Sequence, residues 1–237
     1  MDANPEAARK INIDASRLLA KATTARSIVL IYICTDYVFP GPPGAAPYET
    51  DAKPAPTNLY GQTKLDGEIA VLEETAGTGL GVSLRVPVLY GEATEPKESA
   101  VNVLMNTVWK AQEKDSTAKV DDWAIRYPTN TEDVGRVCAD IAAKYTTATD
   151  RANLPKLLQF SSEDRYIKYE MCQVFAEIMG LPLDGLAPNK QGNDPNAKVQ
   201  RPYDTHLSTK ALRELGIEVH TQDFVARWRR EARAVRR

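Results

Sequence analysis

Seven of the eight residues from Ser27 to Cys34 (SIVLIYIC) are apolar, half of the eight are β-branched, and no polar residue alternates with them. A run this short and this apolar is a strand buried on both faces, the kind that parallel sheets use when helices cover each side. Such a strand needs helical neighbours in sequence, and the flanks supply them. Residues 5–25 place Ile11, Ala15, Leu18 and Leu19 at helical spacing, with Pro5 suited to a first turn. Residues 35–57 are rich in proline and glycine, hence a long loop, and a loop of that length inside a compact domain is usually functional. Asn58 is then placed to cap a helix over 59–74, with Leu65, Ile69 and Leu72 on one face.

The alternation continues along the chain. A second apolar strand is predicted over 82–89, followed by Tyr90-Gly91, and helices over 98–114 and 131–145. A strand at 156–160, a helix over 168–179 closed by Gly180 and a helix over 208–215 closed by Gly216 complete the pattern. Strands alternating with helices predict an α/β fold with a parallel sheet. Gly77, Gly79 and Gly81 imitate a nucleotide-binding spacing, but they close a helix and precede a strand, whereas the dinucleotide turn follows a strand and opens a helix. They are expected to form a helix-ending turn.

Composition narrows the class. The 237 residues suit one large domain, or one with a small second lobe, and a net charge of −2 gives no global electrostatic case for nucleic acid or an acidic membrane. No apolar run approaches the roughly 20 residues of a membrane span, and the polar first residues contain no signal-peptide core. Cys34, Cys138 and Cys172 are odd in number and widely spaced, which suggests neither a disulfide framework nor a zinc site, and only His206 and His220 could add imidazole ligands. A reduced, cytoplasmic, soluble protein is expected. Cys34, at a strand end, reads as an inert core thiol rather than a reactive one.

Tyr60 and Lys64 lie four apart at the start of the capped helix, on one face, and Thr35 lies just past a buried strand, where open α/β sheets place their ligands. Together the three can reduce a carbonyl. An ammonium beside a phenol favours the phenolate, a threonine hydroxyl can fix the carbonyl oxygen, and a bound nicotinamide would supply hydride. A Tyr-x-x-x-Lys spacing alone is common on helices by chance, so its surroundings have to carry the reading.

Those surroundings are the runs YICTDYVF (32–39), PAPTNLYGQTKLDGE (54–68) and LRVPVLYG (84–91). They resemble the extended short-chain dehydrogenase/reductases, in the dTDP-4-dehydrorhamnose reductase branch. The resemblance implies that Thr35, Tyr60 and Lys64 are the catalytic group, that Asn12 joins their hydrogen-bonded array, and that Arg85, Pro87 and Val88 line the nicotinamide together with Tyr60 and Lys64. It implies NADP or NAD as cofactor and a Rossmann-type parallel sheet with a small C-terminal substrate-binding lobe. The sheet portion is expected over 1–95 with 127–162 returning to it, and the lobe over 96–126 and 163–237.

Within that superfamily the chain is most similar to the regulatory β-subunit family of methionine adenosyltransferase. The similarity rests on LYGQTKLDGE (59–68), LYGE (89–92), ESAV (98–101), Asp122-Trp123, RYPT (126–129), KYEM (168–171) and QRP (200–202). It implies a regulatory protein in S-adenosylmethionine biosynthesis whose partner is the catalytic subunit; the alternative is an NADPH-dependent reductase of a 4-keto sugar nucleotide. Relative to these families the chain opens at the helix carrying Asn12. The glycine-rich phosphate loop and the first strands are therefore expected to be missing, with the edge of the 27–34 strand left open. Trp123, Arg126 and Tyr127 fit either core packing or a ligand-facing rim. The last eleven residues hold six arginines and one glutamate, either a solvated helix end or a docking arm for an acidic groove.

Overall fold

The structure, a computed structural model, describes residues 4–193, 196 and 199–235. The chain divides into two compact units: residues 1–87, 134–161 and 197–219 form the first, and residues 88–133, 162–196 and 220–237 the second. The sequence-based division had kept 88–95 and 127–133 with the sheet and had given 197–219 to the lobe. The reassignment has physical causes. The single strand expected over 82–89 is broken at Pro87: β2 (Gly81–Val86) pairs within one sheet and β3 (Leu89–Tyr90) within another. Proline has no N–H to continue the first ladder.

In the first unit β1 (Leu30–Thr35), β2 and β7 (Leu157–Gln159) form an all-parallel sheet in the order β1-β2-β7. Its register sets Cys34 beside Arg85 and Arg85 beside Gln159. β2 is central and buried throughout. β1 is an edge strand among the described residues and was expected to be buried on both faces; instead it alternates after Ile31, burying Tyr32 and Cys34 while Ile33 is exposed. Segment 199–219 joins this unit because Tyr48 bridges Leu207 and Thr57 and Asn58 bond the Gln200 carbonyl.

The N-terminal helical segment is continuous but not uniform: α1 (Pro5–Arg9) and α2 (Ser16–Thr24) flank a π-helical turn, Lys10–Ala15. Its expected apolar face is on the outside, with Ile11 and Leu18 each 68% exposed, and Ala8 and Ala20 are the buried residues. α3 (Leu59–Glu74) behaves alike. Asn58 caps it as expected, its Oδ1 accepting from the Gly61 N–H at 2.9 Å, yet it buries Gly61, Thr63, Gly67, Glu68, Ala70 and Val71 while Ile69 is exposed. Small residues face inward because the elements approach closely: a Cβ on Gly61 would lie 2.1 Å from the Tyr37 carbonyl oxygen, and one on Gly67 2.1 Å from that of Asn12.

Among the described residues the second unit has three two-stranded ladders: β3 with β6 (Thr129–Asn130), β4 (Ala118–Asp121) with β9 (Leu186–Asn189), and β5 (Ile125–Arg126) with β8 (Tyr166–Ile167). Its core gathers α4 (Val103–Lys110), α6 (Lys168–Met179) and α8 (Phe224–Val235) around Tyr90, Phe175, Phe224 and Trp228. α5 (Thr131–Thr147) and α7 (Lys210–Glu214) complete the helices. Gly180 ends α6 in the left-handed conformation, φ 69°, as its position suggested. The basic C-terminus is helical as far as Val235 and anchored rather than frayed: Phe224 and Trp228 are buried, and Arg227 and Arg229 pair with Glu132 and Glu177. Arg236 and Arg237 lie outside the described residues. No described helix is long and apolar enough to cross a membrane.

Gly67→Ala tests the close packing of α3. The added methyl has backbone oxygen as its obstacle, so the variant should lose about 1–3 kcal/mol of stability in urea unfolding, whereas alanine at Gly77, which meets no atom within 4 Å but has φ 74°, should cost only the strain of that conformation.

Candidate functional site

Thr35 ends β1 with extended backbone and turns the chain into a short 3-10 turn, Asp36–Val38, which its hydroxyl caps by accepting from the Tyr37 N–H at 3.2 Å. The same hydroxyl donates to Asp36 Oδ1 at 3.0 Å, and the Thr205 hydroxyl donates to Asp36 Oδ2. Thr35, Asp36 and Thr205 are all buried, so a hydroxyl–carboxylate–hydroxyl group sits at the carboxyl end of the edge strand. Tyr60, in the first turn of α3, lies near it: its phenol is close enough to feel the Thr35 hydroxyl, and the Tyr37 and Tyr60 rings meet edge-on at 6.0 Å.

Burial raises the Tyr60 phenol above its ordinary value; the Thr35 hydroxyl opposes this and the charges of Asp36, Cys34 and Tyr37 add to it. Tyr60 is therefore a neutral phenol near pH 7, able to hydrogen-bond a carbonyl or hydroxyl. Lys64 was expected to draw that phenol toward phenolate. Its Nζ instead donates to the Ile33 carbonyl at 2.6 Å and lies 4.3 Å from the centre of the Tyr32 ring. Burial lowers the Lys64 ammonium below the ordinary lysine value, with Cys34 and Glu68 opposing. The helix around Lys64 is tied down by its own carbonyl, which accepts from the Tyr32 hydroxyl at 3.2 Å.

Asn12, in the π-helical turn, donates from Nδ2 to the Thr63 hydroxyl at 2.9 Å, and Thr63 donates to the Tyr60 carbonyl at 3.1 Å. Asn12 thus reaches the turn bearing Tyr60 through one intermediary. Arg85 is 1% exposed and engaged beneath the site: its Nε and Nη2 donate to Glu68 at 3.0 and 2.6 Å, and Ser83 donates to the same carboxylate at 2.7 Å. Its Nη1 has no hydrogen-bond partner, and its guanidinium lies 5.2 Å from the centre of the Phe39 ring. Pro87 follows Val86, the register partner of Thr35, and is buried; Val88 belongs to the second unit, where its carbonyl accepts from the Thr129 N–H at 3.0 Å. Cys34 is 2% exposed and burial pushes its thiol well up, the setting of an inert core residue. Arg126 and Tyr127 are buried in the second unit.

The structure brings Thr35 and Tyr60 into contact, links Asn12 to them and points Lys64 at the strand edge. Sequence reasoning passed over Asp36, Thr205 and Glu68. Glu68 was readable only as a carboxylate on the helix face carrying Gly61 and Lys64, and nothing local connects Thr205 to Asp36.

A model of the RmlD substrate binding domain matches residues 1–234. The chain is 40% identical over 217 residues to "Methionine adenosyltransferase 2 subunit beta" of Pongo abelii; the match covers 92% of this chain and spans 61% of that relative's length. Among solved structures it is similar to a dTDP-4-dehydrorhamnose reductase from Clostridium acetobutylicum (TM-score 0.78, 19% identity, 99% of this chain and 76% of that one). It is also similar to the Bacillus anthracis reductase solved in complex with NADP (TM-score 0.75, 21% identity, 96% and 73%).

Two substitutions probe this geometry. Glu68→Ala leaves Arg85 charged, buried and unpaired, and should cost about 3–5 kcal/mol in urea unfolding. Lys64 has a folded pKa below its unfolded value of 10.5, so as pH rises toward 10.5 the folded chain releases that proton first and the cost of the buried charge is relieved. Wild type should gain stability relative to Lys64→Met between about pH 7 and pH 10, measured by urea melts at both.

Proposed function

Because the chain belongs to the RmlD substrate binding domain family, we propose that it serves S-adenosylmethionine synthesis as a regulatory subunit that binds the catalytic subunit of methionine adenosyltransferase, in the cytoplasm. The observation that carries this reading is the identity, sustained over nearly the whole chain, with relatives named as β subunits of that enzyme. The site geometry supports it from another direction. Thr35, Tyr60 and Asp36 gather hydroxyl and carboxylate groups on one wall, while Lys64 Nζ is bonded to the Ile33 carbonyl and not to the Tyr60 hydroxyl.

The nicotinamide end of NADP or NAD fits this wall. Tyr60 and Thr35 offer hydroxyls at the carboxyl end of β1, and Lys64 has further N–H donors beyond the one given to Ile33, enough to take ribose hydroxyls. When bound, the nicotinamide would be the hydride carrier; the chain's own residues would orient it and hold the Tyr60 proton. No strand among the described residues runs through a glycine-rich turn into a helix, so these residues supply no cradle of that kind for the pyrophosphate. Cofactor affinity of this chain alone should accordingly be weak.

Retention of Thr35, Tyr60 and Lys64 favours a second reading, an NADPH-dependent reductase of a 4-keto sugar nucleotide. One comparison separates the two. The regulatory reading expects the purified chain to co-elute with the S-adenosylmethionine synthetase catalytic subunit and to change its kcat or KM, with no NADPH oxidation on adding a 4-keto sugar nucleotide. Absence of the complex, together with NADPH oxidation that Tyr60→Phe abolishes, would overturn it.

A further inference from the structure

The Asp36 carboxylate at the end of β1 is gripped by a hydroxyl at each oxygen. Thr35 donates to Oδ1 at 3.0 Å, and Thr205, 169 positions along the chain, donates to Oδ2. Thr205 is itself fixed by the backbone on either side of it. The Gly41 carbonyl accepts from the N–H groups of Tyr203 and Asp204 at 3.0 and 3.1 Å, and the Tyr48 N–H donates to the His206 carbonyl at 2.8 Å. Asp36 is 3% exposed, so turning the carboxylate, or turning the Thr35 hydroxyl off it, gives up a charge-assisted bond away from water.

This grip sets the direction of the neighbouring protons. A threonine hydroxyl has one proton and two acceptor positions, and a carboxylate only accepts. The Thr35 proton is therefore committed to Asp36. One acceptor position takes the Tyr37 N–H at 3.2 Å, and the second is available to the Tyr60 phenol nearby. Tyr60 is half-buried, which makes it the member of the group that a ligand meets. Hydrogen bonds that run one after another toward a fixed charge strengthen each other, so the favoured order is Tyr60 to Thr35 to Asp36.

From this order we propose that Asp36 is a positioning residue that sets the polarity of the wall: acting through Thr35, it turns the Tyr60 proton inward, so that the wall accepts a hydrogen bond from its ligand and rejects an anion. The proposal rests on the reading that the nicotinamide end of a dinucleotide meets this wall. It adds which part of that end is selected: the carboxamide, a neutral group with N–H donors. A carboxylate in its place has no proton to give near neutral pH and brings its charge toward Asp36. Lys64 acts in the other direction, since an ammonium attracts anions, but its Nζ is already bonded to the Ile33 carbonyl and lies over the Tyr32 ring.

The test uses the full chain and two probes, NADP and nicotinic acid adenine dinucleotide phosphate, which differs only in carrying a carboxylate where NADP carries the carboxamide. Dissociation constants are measured by ligand-observed NMR at up to millimolar concentration, the range of weak binding. NADP should bind about tenfold or more tighter than the acid. That ratio should fall to about threefold or less in Asp36→Asn, where the amide can donate to Thr35 and release its proton, and separately in Thr35→Val, which breaks the relay and keeps the carboxylate. Either variant, once shown to be folded by circular dichroism, decides the point. If Asp36 serves folding alone, Asp36→Asn weakens both probes equally, and a ratio unchanged in either folded variant would overturn the proposal. Equal or tighter binding of the acid to the unaltered chain would overturn it too, while leaving the cofactor reading in place. Binding of neither probe would overturn both.

Discussion

A single buried ion pair fixes the position of everything at the candidate site. Glu68 on α3 receives two bonds from Arg85 and one from Ser83, both on the central strand β2, and both charged side chains are almost wholly removed from water. Such a pair contributes little net stability compared with apolar packing, since desolvation offsets much of the attraction, but its geometry is demanding. A bidentate contact plus a serine bond allows one rotation and one height of the helix against the sheet. Tyr60 and Lys64 project from that helix, so the distance between the Tyr60 hydroxyl and Thr35 at the end of β1 follows from an interaction about two turns further along the same face. The glycines at 61 and 67 belong to the same design, because a helix held this low needs backbone-to-backbone approach at Tyr37 and Asn12.

What could be read from the sequence follows from how local each cause is. The span of α3 and its Asn58 cap and the closure of α6 at Gly180 are dictated by residues within a few positions of one another, and they stand in the structure. Hydrophobic periodicity misled where packing is done by small or charged residues. It chose Ile11, Leu18 and Ile69 as inward faces, and these are exposed, while Ala8, Ala20, Gly67 and Glu68 are buried. Apolar side chains on the outer face of a segment obey the same spacing as those on the inner face, so periodicity alone has no sign.

The site shows the same division. The residue types and spacing identified the hydroxyl, the phenol and the amine, but not where the amine points. Lys64 has a backbone carbonyl of the edge strand within reach, and burial makes the pairing with Ile33 favourable. The third member of the hydroxyl group, Thr205, lies 169 positions from the Asp36 carboxylate it bonds. No local pattern encodes such a link; it exists because segment 199–219 folds back onto the loop after β1.

Asn58 joins these two scales in one side chain. Its Oδ1 accepts from Gly61 and so starts the helix that carries Tyr60, while its Nδ2 donates to the carbonyl of Gln200, 142 positions away. One amide therefore serves as both the first turn's cap and the clasp of a distant segment. Loosening of that segment and fraying of the first turn of α3 become a single cooperative event, and the phenol at the carboxyl end of β1 is only as well ordered as the strap lying over its helix.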